Sequence, residues 1–255
     1  MTRFVRLALA AAATLATIVA ASPSAPAATL AHHPREGRAH GVGNLGWSSS
    51  NWSGYAITGS GFTAVTGAWT VQAVSPTKKA SFSSQWVGID GFNNSSLIQT
   101  GTESDYYRGS AHYDAWWEIL PASETVIPSL PVHRGDQMSA SVTSNGNGTW
   151  TITIRDSTTG GSFSTVQSYN GPRTSAEWIE EAPTVGGRIA TLAHYSSPQT
   201  FDPGSVDGVN PKLSASAGGD MVQQGQVVSI PSNPDSDTDG FNVSYGSAQP
   251  APPSS

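Results

Sequence analysis

The fold is decided by residues 138–156, which read MSASVTSNGNGTWTITIRD. Apolar and polar side chains alternate in both halves of this stretch, and such a period of two places successive side chains on opposite faces of a strand. Residues 144–148, SNGNG, join the halves, and Asn-Gly supplies the positive φ angles that tight turns require. The stretch therefore predicts an antiparallel β-hairpin with one apolar face.

The same alternation recurs in short runs across the middle of the chain. Almost every run is bounded by Gly, Asn, Pro or Ser, and helical periodicity is nearly absent. About a dozen short strands predict an all-β fold, an antiparallel sandwich or barrel in one domain of roughly 200 residues. The runs are residues 62–66, 69–71, 111–119, 138–143, 149–154, 163–169, 188–193, 226–230 and 241–245.

Composition argues against several kinds of chemistry and partner. The 255 residues include no Cys, 12 Lys plus Arg and 18 Asp plus Glu, for a formal net charge of −6. Without Cys there is no disulfide, thiolate zinc site or cysteine nucleophile, and the acidic balance disfavours nucleic acid and acidic membranes as partners. The zinc motif H-E-x-x-H, the nucleophile elbow G-x-S-x-G and the aspartic peptidase motif are also missing. No cofactor and no metal are therefore expected.

The N-terminus has the pattern of a secretory signal. Arg3 and Arg6 precede the uncharged run 7–21, which is followed by small residues in an A-x-A pattern. Fifteen apolar residues fall short of the roughly 20 that cross a bilayer. We therefore expect residues 1–28 to be a cleaved signal peptide and the mature protein to be secreted to the extracellular space.

Two further segments differ from the strand-rich middle. Residues 29–47 contain three of the six histidines and show neither a strand nor a helix period. This segment is either a disordered leader or a short basic prosegment that lies on an acidic site. Residues 247–255 are expected to form a disordered tail, which leaves residues 48–246 as the folded domain.

Residues 235–240, DSDTDG, begin like a calcium-binding loop. Such a loop closes with a bidentate Glu at its twelfth position, and that position is Gly246 here. The favoured interpretation is a solvated acidic turn.

Two predicted strands place carboxylates beside tryptophans on one face, while the opposite face of the longer strand is apolar. Either face alone is typical of an exposed sheet surface. Two such faces in a chain with only 12% charged residues suggest a groove. The residues are Asp114, Trp116 and Glu118 in 111–119, and Trp86 and Asp90 in 85–91.

Three of the seven glutamates lie within residues 177–181, in the sequence AEWIEEAP. In a strand, Glu177 and Glu181 would share a face about 13 Å apart, too far to act as a carboxylate pair, so a catalytic partner must come from another strand. A helix-like acidic patch on the surface is the alternative.

Five short motifs occur in an order that is more specific than any one of them alone. They are NWSGY at 51–55, WVGIDG at 86–91, LIQTG at 97–101, YDAWWE at 113–118 and RTSAEWIEE at 173–181. With these motifs the chain resembles the glutamic peptidases, also called eqolisins, over roughly residues 50–245.

The resemblance implies a sandwich of two curved antiparallel sheets with a concave substrate groove. It also implies endopeptidase activity at acid pH by a Gln/Glu pair, and by position Gln99 matches the catalytic glutamine and Glu181 the catalytic glutamate. Strand alternation turns the adjacent Glu180 to the opposite face. The residues expected to bind substrate are Trp86, Asp90, Asp114 and Glu118, which match the groove of the family, and Trp116, which shares their predicted face.

This pair can hydrolyse a peptide bond without a metal. A glutamate takes a proton from the attacking water and returns it to the leaving amine, while a glutamine amide donates a hydrogen bond to the oxyanion. Protein or peptide substrates and a monomer are expected. The alternative is a secreted carbohydrate-binding or carbohydrate-hydrolysing β-sandwich, which would need no particular glutamine.

Overall fold

The computed structural model describes residue 1, residues 30–38 and residues 41–255. Most of the predicted signal peptide and His40 lie outside these residues. Within them the chain forms nineteen strands and one short 3-10 turn, Ala215–Ala217, and no helix is long and apolar enough to cross a membrane. The strands are β1 Leu30–Ala31, β2 Gly37–Arg38, β3 Trp47–Ser49, β4 Trp52–Thr58, β5 Ala64–Thr70, β6 Ser84–Ile89, β7 Ile98–Tyr107, β8 Ser110–Ile119, β9 Thr125–Val126, β10 Gln137–Ser144, β11 Thr149–Asp156, β12 Ser162–Ser168, β13 Ser175–Glu181, β14 Thr184–Val185, β15 Arg188–Ile189, β16 Gln199–Val206, β17 Gly218–Gln223, β18 Gln226–Pro231 and β19 Phe241–Tyr245.

The strands pair in one long path that folds back on itself as a sandwich. The path runs β12-β11-β10-β5-β16-β19-β18-β17-β4-β13-β6-β7-β8-β9, with β2 and β3 attached at β17, and β1, β14 and β15 form a small separate sheet. Strands β5, β10 and β11 face β6, β7 and β13 across the main core. Apart from β3 with β17, the pairs are antiparallel, which confirms the predicted fold class.

The hairpin predicted at residues 138–156 is strands β10 and β11. Val142 pairs with Ile152 and both are fully buried, while Gly146 and Gly148 supply the positive φ angles of the turn. The predicted break between residues 66 and 69 is wrong. Strand β5 is continuous there because Gly67 makes room for the opposite sheet: a Cβ on it would lie 2.7 Å from Val87 Cγ1.

The glutamate-rich segment is a strand, so the helix-like surface patch is excluded. Strand β13 pairs with β4 on one side and β6 on the other, and all seven of its residues are buried. Trp178 packs in the main core, whereas Ile179 joins a second apolar cluster on the other face of the sheet. The cluster consists of Trp47, Trp52, Ala56, Trp86, Leu97, Trp116 and Ile179.

Residues 30–38 and the C-terminal tail both contact the domain. Strand β1 pairs with β14, and β2 pairs with β3. The tail has no regular secondary structure, but Gln249 Nε2 donates to the Pro231 carbonyl at 3.0 Å and Asn242 Nδ2 to the Ala251 carbonyl at 2.9 Å. Trp47, the residue before the predicted start of the domain, is buried.

Candidate active site

Four neighbouring strands, β13, β6, β7 and β8, bring the candidate residues to one face of the sheet. Gln99 on β7 is paired with Glu118 on β8, and directly paired residues project their side chains to the same face. Four positions further along β7, Glu103 is paired with Ser84, which is paired with Glu181. Antiparallel register thus places an amide and three carboxylates on one face, in two rows separated by the row that contains Trp86 and Trp116.

Gln99 and Glu118 form a fully buried pair. Gln99 Nε2 donates to Glu118 Oε2 at 2.8 Å, and Gln99 Oε1 has no hydrogen-bond partner among the described residues. Gly88 makes room for the amide, since a Cβ there would lie 3.1 Å from Gln99 Cβ. A hydrogen bond therefore fixes the amide nitrogen, whereas the amide oxygen is unpaired among the described residues.

The carboxylate of Glu181 is held by an indole. Trp86 Nε1 donates to Glu181 Oε2 at 2.8 Å, and both residues are fully buried. The Trp86 side chain lies over Gly101, where a Cβ would come within 2.5 Å of Trp86 Cβ. Gly101, in the LIQTG motif, thus permits the indole to approach β7 closely.

A histidine from the N-terminal segment fills the space between these groups. His32 is fully buried, its Nδ1 lies 2.9 Å from Glu181 Oε2, and its backbone N–H donates to Glu118 Oε1 at 3.3 Å. Its Nε2 lies 2.9 Å from Glu103 Oε1 and 3.3 Å from Glu124 Oε2. The imidazole also stacks on Trp116, with ring centroids 3.8 Å apart.

The residues that follow His32 in the N-terminal segment also contact the site. The His33 N–H donates to Glu181 Oε1 at 3.2 Å, and Asn51 Nδ2 donates to the carbonyls of His33 and Pro34. The Arg35 guanidinium lies 4.1 Å from the centre of the Phe92 ring. Residues 32–35 therefore lie along the groove.

Burial and charge shift the titration of this cluster. Burial lowers the pKa of His32, but the charge of Glu181 and contacts with Glu103 and Glu124 outweigh it and hold that pKa well above 6.5. Burial raises the pKa of Glu118 to about 7 against the opposing charge of His32. Burial likewise raises the pKa of Glu103 to about 7. In acid, His32 is charged while Glu103 and Glu118 are neutral.

Two residues predicted for the groove lie away from its centre. Asp114 lies on a solvent-exposed part of β8, and partial desolvation of its carboxyl together with the charge of Glu124 raises its pKa. Asp90 does not join the cluster, because a φ of 73° turns it off the strand alternation. Its carboxylate instead accepts from the Tyr169 hydroxyl at 2.6 Å and from the Arg173 and Thr174 N–H groups, both at 2.8 Å.

Glu180 faces the other side of the sheet, as alternation predicts. Its Oε1 accepts from Gln72 Nε2 at 2.9 Å. Sequence reasoning missed Glu103 and Glu124. Glu103 lies four positions after Gln99 on the same strand, so alternation could have found it, whereas Glu124 follows β8 outside any strand and has no sequence signal.

A family model, the peptidase A4 family, matches residues 50–245. The chain belongs to the peptidase A4 family. It is 31% identical to aspergillopepsin-2 of Aspergillus niger over 173 residues, 58% of this chain and 61% of that protein. It is 35% identical to scytalidopepsin B of Scytalidium lignicola over 137 residues, 52% of this chain and 51% of that protein. The chain thus matches between half and three fifths of the length of these two relatives.

The fold of a solved member of the family agrees with the structure described above. Scytalido-glutamic peptidase, solved with a transition-state analogue inhibitor, superposes with a TM-score of 0.67 at 27% identity. The match covers 77% of this chain and 98% of the solved one. The two-sheet architecture is therefore that of the eqolisins of the peptidase A4 family.

Proposed function

We propose that this protein is a secreted acid endopeptidase that hydrolyses protein substrates with Glu181 and Gln99. The observation that carries the proposal is the convergence of Glu181 and the Gln99–Glu118 pair on one buried position, now filled by His32. Family membership supports it, as does a solved relative that holds a transition-state analogue inhibitor.

In this mechanism Glu181 is the general base and then the general acid. With residues 32–35 removed, a water takes the place of the His32 imidazole and loses a proton to Glu181 as its oxygen attacks the scissile carbonyl. The same proton passes to the amine when the C–N bond breaks. The Trp86 N–H, 2.8 Å from Glu181 Oε2, holds the carboxylate in one orientation during both steps.

Gln99 stabilises the oxyanion that forms between these steps. Its amide nitrogen carries two hydrogens: one is donated to Glu118 at 2.8 Å and fixes the group, and the second donates to the developing charge. Because the pKa of Glu118 is about 7, this carboxyl is neutral in acid and adds no negative charge beside the oxyanion. The mechanism therefore favours acid pH.

The N-terminal segment 29–47 acts as the prosegment in this proposal. His32 occupies the position of the reacting groups, and Arg35 stacks on Phe92 at the edge of the groove. The charge of Glu181 and the contacts with Glu103 and Glu124 hold the charged imidazole. Glu103 has a pKa of about 7, so its protonation weakens this attraction as the pH falls below neutrality. Acid would then release the segment and start the enzyme.

The test is hydrolysis of a denatured protein at pH 3–4 by the purified full chain. Pepstatin, shaped for two aspartates, and chelators are expected to leave the rate unchanged. A panel of polysaccharides serves as the comparison, because the sugar-active alternative predicts binding there. Binding to a polysaccharide without any peptide hydrolysis would overturn the proposal.

A further inference from the structure

Three aspartates meet on a part of the fold that contributes nothing to the candidate active site. Asp202 lies on β16, and Asp235 and Asp239 lie in the loop between β18 and β19. Each offers a carboxylate oxygen, and these oxygens lie within 4.8 Å of one another. The loop contains the DSDTDG segment, residues 235–240. Its sequence lacks the glutamate that closes a calcium-binding loop at the twelfth position, so the sequence alone favoured a solvated acidic turn.

Two carboxylate oxygens of this cluster are buried and lack a hydrogen-bond partner among the described residues. Asp235 is only 6% exposed; its Oδ1 accepts from the Asp239 N–H at 3.2 Å, and its Oδ2 has no hydrogen-bond partner within residues 30–38 and 41–255. Asp239 Oδ1 is buried and also lacks a partner in these ranges. Among the described residues, no Lys, Arg or His forms a salt bridge with any of the three. Buried, unpaired carboxylates are costly unless a cation binds them.

The unpaired oxygen of Asp235 points toward Asp202. A Cβ on Gly240 would lie 2.5 Å from Asp235 Oδ2 and 2.8 Å from Asp202 Cγ, so both carboxyls crowd the same side of this glycine. Burial and then the charges of the neighbouring aspartates raise the pKa of Asp202 and Asp239. The three groups repel one another without a counter-charge.

We propose that Asp202, Asp235 and Asp239 form a structural calcium site that joins β16 to the 235–240 loop. Calcium takes six to eight oxygen ligands in flexible geometry, and three carboxylates with water in the remaining positions meet this need. The loop supplies the first and fifth positions of a calcium loop, and Asp202, from a distant part of the chain, replaces the absent glutamate. The cation stabilises the fold and takes no part in peptide hydrolysis.

The test is a calcium titration of the full chain at pH 6.5 after dialysis against a chelator and then chelator-free buffer. Calorimetry is expected to show one equivalent bound. The unfolding midpoint should rise by about 5–10 °C at 100 times the dissociation constant. The rise should vanish at pH 3, where aspartates are protonated.

Matched variants distinguish calcium binding at this site from a general effect of negative charge in the loop. Asp235→Asn and Asp202→Asn should abolish the calcium-dependent rise, and Asp202→Asn remains informative if the buried variant fails to fold. Asp237→Asn, an exposed residue of the same loop that removes the same charge, should retain most of the rise. The proposal is overturned if the wild-type chain binds no calcium, or if Asp237→Asn loses the response as fully as the other two.

Discussion

Gln99 and Glu118 lie on different strands, and the pairing of β7 with β8 brings them within hydrogen-bond distance. Gln99→Ala removes the donor to the oxyanion and is expected to lower kcat about 10²- to 10³-fold. The change should be measured at pH 3–4 with a peptide substrate, alongside the unfolding midpoint, because truncation also leaves a cavity. A folded variant with activity within a few-fold of wild type would exclude this role.

Among single residues, the sequence motifs pointed to Gln99, Glu118 and Glu181, which the structure brings together, but not to the neighbouring Glu103 and Glu124. Gln99, Glu118 and Glu181 lie together because strand alternation holds for each of them. Asp90 lies elsewhere because its positive φ breaks the alternation at a strand end; the Asp-Gly dipeptide at 90–91 is a turn signal that argued against extending the alternation to this residue.

Among the elements, the short strand β1 leads directly into the residues that contact the candidate catalytic groups. His32 and His33 are neighbours, yet the His32 side chain is buried among carboxylates, whereas His33 is exposed and contacts Glu181 only through its backbone. His32→Ala should therefore weaken the segment's hold on the groove, and His33→Ala should not.

The measurement is the time course of activity after the full chain is shifted from pH 6.5 to pH 5. His32→Ala is expected to shorten the lag severalfold, and His33→Ala to keep the lag of the wild type. Equal lags in all three proteins would show that the segment does not control the enzyme.

Element boundaries were predictable only where side-chain pattern was regular. The 138–156 hairpin formed as predicted, because alternation and the Asn-Gly turn agree. Residues 188–193 form only the two-residue strand β15. Strand β13 was ambiguous because it is central and buried on both faces, which hides the alternation of a half-exposed strand.

For the whole molecule, the buried carboxyls make stability depend on pH. Burial raises the pKa of Glu103 and Glu118 to about 7 and raises that of Glu177 and Glu180 well above 4.5. Folding therefore favours the protonated forms, so stability is greatest below the unfolded value near 4.5 and falls as the pH rises toward 7. The raised pKa of His32 also makes the folded state less stable as the pH rises.

Unfolding midpoints measured from pH 4.5 to 7.5 check this dependence. We expect a decline of several degrees, centred between pH 5 and 7, and a smaller decline in Glu118→Gln, which removes one of the titrating groups. A midpoint that rises over this range would contradict the burial of neutral carboxyls.

The central claim is that Glu181, and not its neighbour Glu180, moves the proton during peptide hydrolysis. The two side chains lie on opposite faces of β13, so conservative substitution of each with glutamine separates them. The measurement is kcat on one peptide substrate at pH 3–4 after removal of the N-terminal segment. Glu181→Gln should lose at least about 10³-fold with its unfolding midpoint kept, and Glu180→Gln should stay within a few-fold of wild type. An active Glu181→Gln beside an inactive Glu180→Gln would contradict the account.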